Sequence, residues 1–482
     1  MSIHAHETSM TVVNMRTRMP FRYGIATLTA LPHLLVRCRF TIQGRLVEGV
    51  AAEGLPPKWF TKDPATSYEQ DLADMLAVIR AACGFAEQAG PCGTVFELWR
   101  DVYAAQAAWA RAQAYPPLLW SFGVSVVERA AIDAWCKASG ATFADAVRTE
   151  ALGMELAAVH PELAGCNAAQ LLPARPSERI AIRHTVGLAD PLTDAEIGEA
   201  DRVDDGLPQS LEACLREHAL RYLKIKLAGD AAADRQRLAA IAQVLDRHQA
   251  SIAFTLDGNE QYHSVEAFAE LWRSLTGDPA LAGFLARLIV VEQPLHRDVA
   301  LTPETARALR AWTDRPAMII DEADAELASL PAALEAGYAG TSHKNCKGVF
   351  KGLASACLIE HRRQREPERL FVLTGEDLAN VGPVALLQDL AVMATLGLRH
   401  VERNGHHYFH GLSMFPRALQ QQVLATHGDL YEADAAGTAR LRIVDGHLEL
   451  GSVLAAPFGC AVPVDVEAFE PLETWRFASL QG

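Results

Sequence analysis

The sequence lacks any C-x-x-C pair, although it contains nine cysteines in 482 residues. An odd number of scattered cysteines in a long chain argues against a disulfide framework and for a reducing, cytoplasmic setting. No apolar run approaches the ~20 residues that a membrane helix requires. The opening stretch, "MSIHAHETSMTVVNMRTRMPFRYG", has no apolar core of the kind a signal peptide carries. Positive charge is also short: 44 Lys and Arg against 59 Asp and Glu leave a formal net charge of -15. A chain this acidic is a poor binder of nucleic acid or anionic membrane, so neither is expected as a partner.

What is present is an ordinary globular balance, with 50% hydrophobic and 21% charged residues. The length suits a barrel of about 250 residues plus an accessory domain. From about Val12 to Gly54 the pattern is strand-like, with breaks expected at Gly44 and Gly49. "PPKWFTKDPATS" is a proline-bounded loop, and residues 68–160 are Ala-rich with helical spacing. A sheet followed by helices predicts a small α+β domain over 11–160.

Beyond Pro176 the rhythm changes. "IAIRHTVGL", "YLKIKL", "SIAFTLDGN", "RLIVVEQPL", "AMIIDEAD", "GYAGTSHKN", "RLFVLTGED" and "RHVERNGHHYFHG" read as short strands separated by amphipathic helices. About eight such units predict a (β/α)8-type barrel over 175–437. The tail, 438–482, returns to strand and turn and is expected to rejoin the first domain. "TDAEIGEADRVDDGLPQS" reads as an acidic surface insertion without a preferred function.

In such a barrel the active site lies at the C-terminal ends of the strands. The residues closing strands two to six are Lys224 with Lys226, then Asp257, Glu292, Asp321 and Lys344. Three successive carboxylates converging at the edge of a core are unfavourable without a counter-ion. Mg2+ suits Asp257, Glu292 and Asp321, because it accepts carboxylates and leaves room for substrate. Glu322 is the alternative to Asp321, but strand alternation allows only one of them inward.

Lys224 and Lys226, two apart, face the same way. Like charges make each other easier to deprotonate, so Lys226 reads as a neutral general base and Lys224 as its electrostatic tuner. Lys344, across the ring, is expected to act on the opposite face, with Lys347 and Lys351 as further lysines of that segment. Asn259 either lines the site or stabilises an Asx-turn. Glu376 and Asp377 either assist the site or cap the next helix. His406, His407 and His410 are loop residues or substrate contacts, and His407 is the one assigned to substrate.

These motifs resemble the enolase superfamily. "KIK", "LDGNEQY", "VVEQPL", "IIDEAD" and "HKNCKG" are similar, in order, to its lysine pair, its three metal-ligand strands and its sixth-strand lysine. "VSVVERAAIDAWCKASG" is similar to the helix leading into its barrel, and "DGHLELGSVLAAPFG" to its C-terminal return. "LTGEDLAN" on strand seven has no histidine, which places the resemblance nearer the muconate lactonizing branch than the mandelate racemase branch.

The resemblance implies a modified (β/α)7β barrel and a capping domain whose loops close over the substrate. Phe21 and Tyr23 in "MPFRYGIATL" and Trp59 in "PPKWFTKDP" would then contact a small carboxylate substrate. It also implies abstraction of a proton α to that carboxylate, through an enediolate, for racemisation, epimerisation or cycloisomerisation. An acid-sugar dehydratase, a Schiff-base aldolase using Lys226 or Lys344, and a non-catalytic binding protein are the alternatives. A symmetric homo-oligomer is the base-rate expectation.

Overall fold

A computed structural model describes residues 2–248 and 251–480. The chain opens with a three-stranded antiparallel meander, β1 (Ile3–Tyr23), β2 (Ala26–Ile42) and β3 (Arg45–Gly54). β1 begins ahead of residue 11, and Gly49 does not interrupt β3. Gly44 occupies the left-handed turn between β2 and β3, with φ 78°. Gly49 serves a different need: a Cβ there would lie 1.9 Å from the Ala130 carbonyl oxygen. Close backbone approach, rather than a turn, requires that glycine.

Three helices pack against the meander: α1 (Tyr68–Gln88), α2 (Val95–Ala112) and α3 (Pro117–Ser139). Ser67 and Gln70 form a capping box that starts α1, and Gly140, at φ 69°, ends α3. α3 lies on β2 and β3, and α1 and α2 pack on it. It also ties this domain to the barrel. Glu128 accepts hydrogen bonds from the backbone N–H groups of Val349 (2.9 Å) and Phe350 (2.6 Å), at the start of the helix Val349–Arg365. A carboxylate there satisfies orphan donors at a helix N-terminus.

The barrel strands are β4 (Arg179–Val186), β5 (Tyr222–Lys226), β6 (Ala253–Asp257), β7 (Leu288–Glu292), β8 (Met318–Ile320), β9 (Gly340–His343), β10 (Val372–Gly375) and β11 (His400–Arg403). Each runs parallel to the next, and β11 pairs with β4 to close the ring. These are the eight segments marked by apolar patterning. Register aligns Lys226 with Asp257 and Asp257 with Glu292. Val290 and Ile319 fill the interior below them. Charged side chains therefore collect above an apolar plug at the C-terminal mouth.

The tail divides between the two parts of the fold. His447–Glu449 pairs antiparallel with Arg179–Ala181 at the foot of β4. β4 starts ahead of its ladder with β11, which leaves an edge there for the extra strand. The later Glu470–Pro471 rejoins the meander, opposite Thr11 and Val12 of β1, and Trp475 donates to Asn14 at 2.9 Å. Among the described residues no helix is long and apolar enough to cross a membrane.

Candidate active site at the barrel mouth

Lys224 occupies the centre of the mouth. Its Nζ lies 2.7 Å from Glu292, 2.8 Å from Glu376, and 3.0 Å from both Asp257 and Glu402. Lys226 lies 2.6 Å from Asp257. Lys344 pairs with Asp321 at 2.7 Å and with Glu376 more closely still, and Lys347 reaches Asp321 at 2.7 Å. Arg183 donates to Glu376 at 3.2 Å. All these groups are buried, and the carboxylates and cations are equal in number.

Such a network holds charge in place. Burial alone would lower the pKa of Lys224, but Asp257, Glu292, Glu376 and Glu402 outweigh it and hold the ammonium well above its usual range. Lys344 is likewise raised against its burial by Asp321 and Glu376. Burial works against ionisation of Glu376 and Asp321 too, yet the lysines beside them keep both below the ordinary carboxylate range. Glu292 is the exception: burial and neighbouring Glu376 push it well above. Lys224 is thus not a free charge repelling Lys226, as the K-x-K spacing suggested; its charge is matched by four carboxylates.

Phe21, Tyr23, Trp59 and Asn259 line a pocket of about 450 Å3 with Lys224, Lys226, Asp321 and Lys344. The Lys344 ammonium lies 5.3 Å from the Trp59 ring centroid, a cation–π approach. The Trp59 loop is fastened to the barrel by Arg297, which donates to the carbonyls of Trp59 (3.0 Å) and Phe60 (2.8 Å) and to Glu260 (2.7 Å). Tyr23 Oη donates to the Pro57 carbonyl at 2.9 Å. Near the tip of the first hairpin, Arg18 makes a forked pair with Asp205 and donates to the carbonyls of Pro208 and His407. The acidic segment after β4 is therefore an anchor for the hairpin.

Asn259 combines both of its expected roles. It sits at φ 40° with its N–H 2.9 Å from Asp257 Oδ1, an Asx-type turn, and it also lines the pocket. His407 does not line it. Its ring packs against His184 behind β4, with Nδ1 3.6 Å from Cys214 Sγ. The short helix Gly405–Tyr408 carries it away from the mouth. Glu402 was not picked out by reading strand ends, because it lies one residue before the last of β11. Inward alternation from His400 would have found it.

The carboxyl oxygens that come within 4.8 Å of one another belong to Glu292, Asp321 and Glu376. Asp257 stands beside them, held by Lys226, Lys224 and Asn259. Glu292 Oε2 is buried with no hydrogen-bond partner among the described residues. An all-oxygen donor set with an orphaned carboxylate oxygen fits a hard divalent cation.

No family model and no curated protein matches the chain. Solved structures do. Muconate lactonizing enzyme from Pseudomonas fluorescens, complexed with muconolactone, aligns with TM-score 0.60 and 17% identity over 97% of this chain and 99% of that one. The chain shares the fold of these solved structures. Dipeptide epimerase from Enterococcus faecalis V583, complexed with Mg and the dipeptide L-Leu-L-Tyr, aligns with TM-score 0.60 and 15% identity over 95% and 99%. A mandelate racemase/muconate lactonizing protein from Herpetosiphon aurantiacus aligns with TM-score 0.58 and 16% identity over 94% and 97%. The shared architecture of barrel and capping domain thus extends over nearly the whole chain.

Proposed function

We propose that the protein is a Mg2+-dependent enzyme that removes the proton α to a carboxylate and so racemises, epimerises or cycloisomerises a small carboxylate substrate. The observation that carries this reading is the placement of Lys226 and Lys344. They close the second and sixth strands of an eight-stranded ring, on opposite sides of one pocket, with the carboxylate cluster between them. A planar enediolate between them would show one face to each lysine.

Glu292, Asp321 and Glu376 would hold the cation, with Asp257 adjacent. Bound there, it would supply positive charge to the substrate carboxylate as the α-proton leaves. Lys226 takes that proton from Cα on one face. Lys344 can do so on the other only once Asp321 and Glu376 are neutralised by something other than its own ammonium. Phe21, Tyr23 and Trp59 cover the pocket and limit water, which strengthens the charge interactions inside. The Schiff-base alternative needs no metal and leaves the cluster of carboxylates between the lysines without a role.

The test is solvent-deuterium uptake at Cα, screened over dipeptides, N-acylated amino acids, acid sugars and lactones with Mg2+ present. For a racemised or epimerised substrate, Lys226→Ala should abolish exchange for one configuration and Lys344→Ala for the other. Normal exchange in the double variant would defeat the proposal.

A further inference from the structure

A second cluster of ligating side chains lies outside the barrel mouth. His184 on β4, Cys214 on the helix Leu211–His218 and His407 after β11 are all buried, and one donor atom from each lies within 4.8 Å of the other two. We propose that these three residues form a separate metal site for a borderline transition ion, zinc above all, which pins the helix Leu211–His218 and the loop after β11 to the outer face of β4.

The donor set selects the metal class. Two imidazoles and a thiolate suit zinc and not the hard, oxygen-seeking cation of the mouth. With Zn–N about 2.0–2.1 Å and Zn–S about 2.3 Å, tetrahedral ligand atoms stand roughly 3.3–3.6 Å apart. Cys214 Sγ and His407 Nδ1 are already 3.6 Å apart. His406 Nε2, 3.1 Å from His184 Nδ1, is the nearest group for a fourth position or for orienting His184. His406 Nδ1 is buried with no hydrogen-bond partner among the described residues. The Asp190 carboxylate, which accepts from Tyr408 Oη at 2.7 Å, stands 4.0 Å from His407 Nε2.

His406, beside the cluster, lines a cleft of about 620 Å3 together with His218. The consequence reaches the active-site cover: Arg18, near the tip of the first hairpin, donates to the His407 carbonyl at 2.9 Å.

The test uses the purified full-length protein. Elemental analysis should find about one zinc per chain after desalting in Mg2+ buffer. Cobalt substitution should give a thiolate-to-cobalt charge-transfer band and strong tetrahedral d–d bands, which the all-oxygen cluster at the mouth does not produce. Cys214→Ser should abolish the charge-transfer band and weaken zinc binding by at least about a hundredfold, more than loss of an outer-shell partner. His407→Gln should weaken binding similarly. The proposal fails if the wild-type protein takes up no zinc when supplied with it. It also fails if cobalt shows only weak oxygen-type bands, or if Cys214→Ser retains its zinc. The wild-type cobalt spectrum decides even if a variant does not fold.

Discussion

Replacing Lys224 with methionine keeps the length of the side chain and removes the charge that four carboxylates share. At an effective dielectric of about 20, a pair at about 3 Å is worth roughly 5 kcal/mol before desolvation, so the gross loss is large. The net loss is limited, because a carboxyl can take up a proton instead. Acidic and basic groups at the mouth are equal in number, so one additional proton on the carboxyls offsets the lost cation. Protonating a glutamate with an ordinary pKa of about 4.3 at about pH 7 costs roughly 3.7 kcal/mol. That agrees with the ~3–5 kcal/mol seen when one partner of a buried ion pair is removed.

The sign follows from linkage. In the variant a carboxyl has a folded-state pKa raised above its unfolded value. The penalty is therefore absent below about pH 4.3 and grows by about 1.4 kcal/mol per pH unit toward neutrality. Urea unfolding at a series of pH values, without divalent cations, reads the difference directly. Added Mg2+ should stabilise the variant more than the wild type, since the centre of the cluster is vacated. A Lys224→Met protein as stable as wild type at neutral pH, or a difference that does not change with pH, would refute this account.

Arg297→Ala should release the Trp59 loop, raising amide hydrogen exchange over residues 57–62 about tenfold or more while the global melt moves little, as loss of charge-assisted bonds of about 1.5–3 kcal/mol implies. Unchanged exchange there would count against Arg297 as the fastening. Gly49→Ala should cost about 3 kcal/mol in urea unfolding, the upper end for overpacking, because the new methyl meets the backbone carbonyl of Ala130; an unmoved midpoint would contradict the close approach. Glu128 is raised by burial to about 7, with the Phe350 and Val349 N–H groups opposing the rise. Its stabilising contribution is thus fully present below its ordinary 4.5 and is lost as pH climbs through about 7. Glu128→Gln should remove up to about 3 kcal/mol of that pH dependence, and identical stability profiles for the two proteins would refute it.

Apolar runs of strand length, recurring at βα intervals, were enough to locate all eight barrel strands, because burial on both faces of a parallel strand leaves a continuous hydrophobic signal. Reading the ends of those runs singled out Lys224, Lys226, Asp257, Glu292, Asp321 and Lys344, which the structure brings together at the barrel mouth, because strand ends share one rim of the barrel. Gly49 reads in the sequence as a break between strands; only the packed structure shows it inside β3, where it admits the Ala130 carbonyl of α3.

Which charges meet was decided by the tertiary structure alone. Strand order puts Lys224 within reach of Glu376 and Glu402, residues 152 and 178 positions away, and so turns a presumed repelling pair into a matched one. The same closure moves Glu376 into the cluster with Glu292 and Asp321. It also sends His407 outward to His184 and Cys214, residues whose separation in sequence hides any ligand spacing. Local patterning reports what each residue's own strand buries; the interior of a closed barrel is assembled from strands far apart in the chain, and only their register brings the partners together.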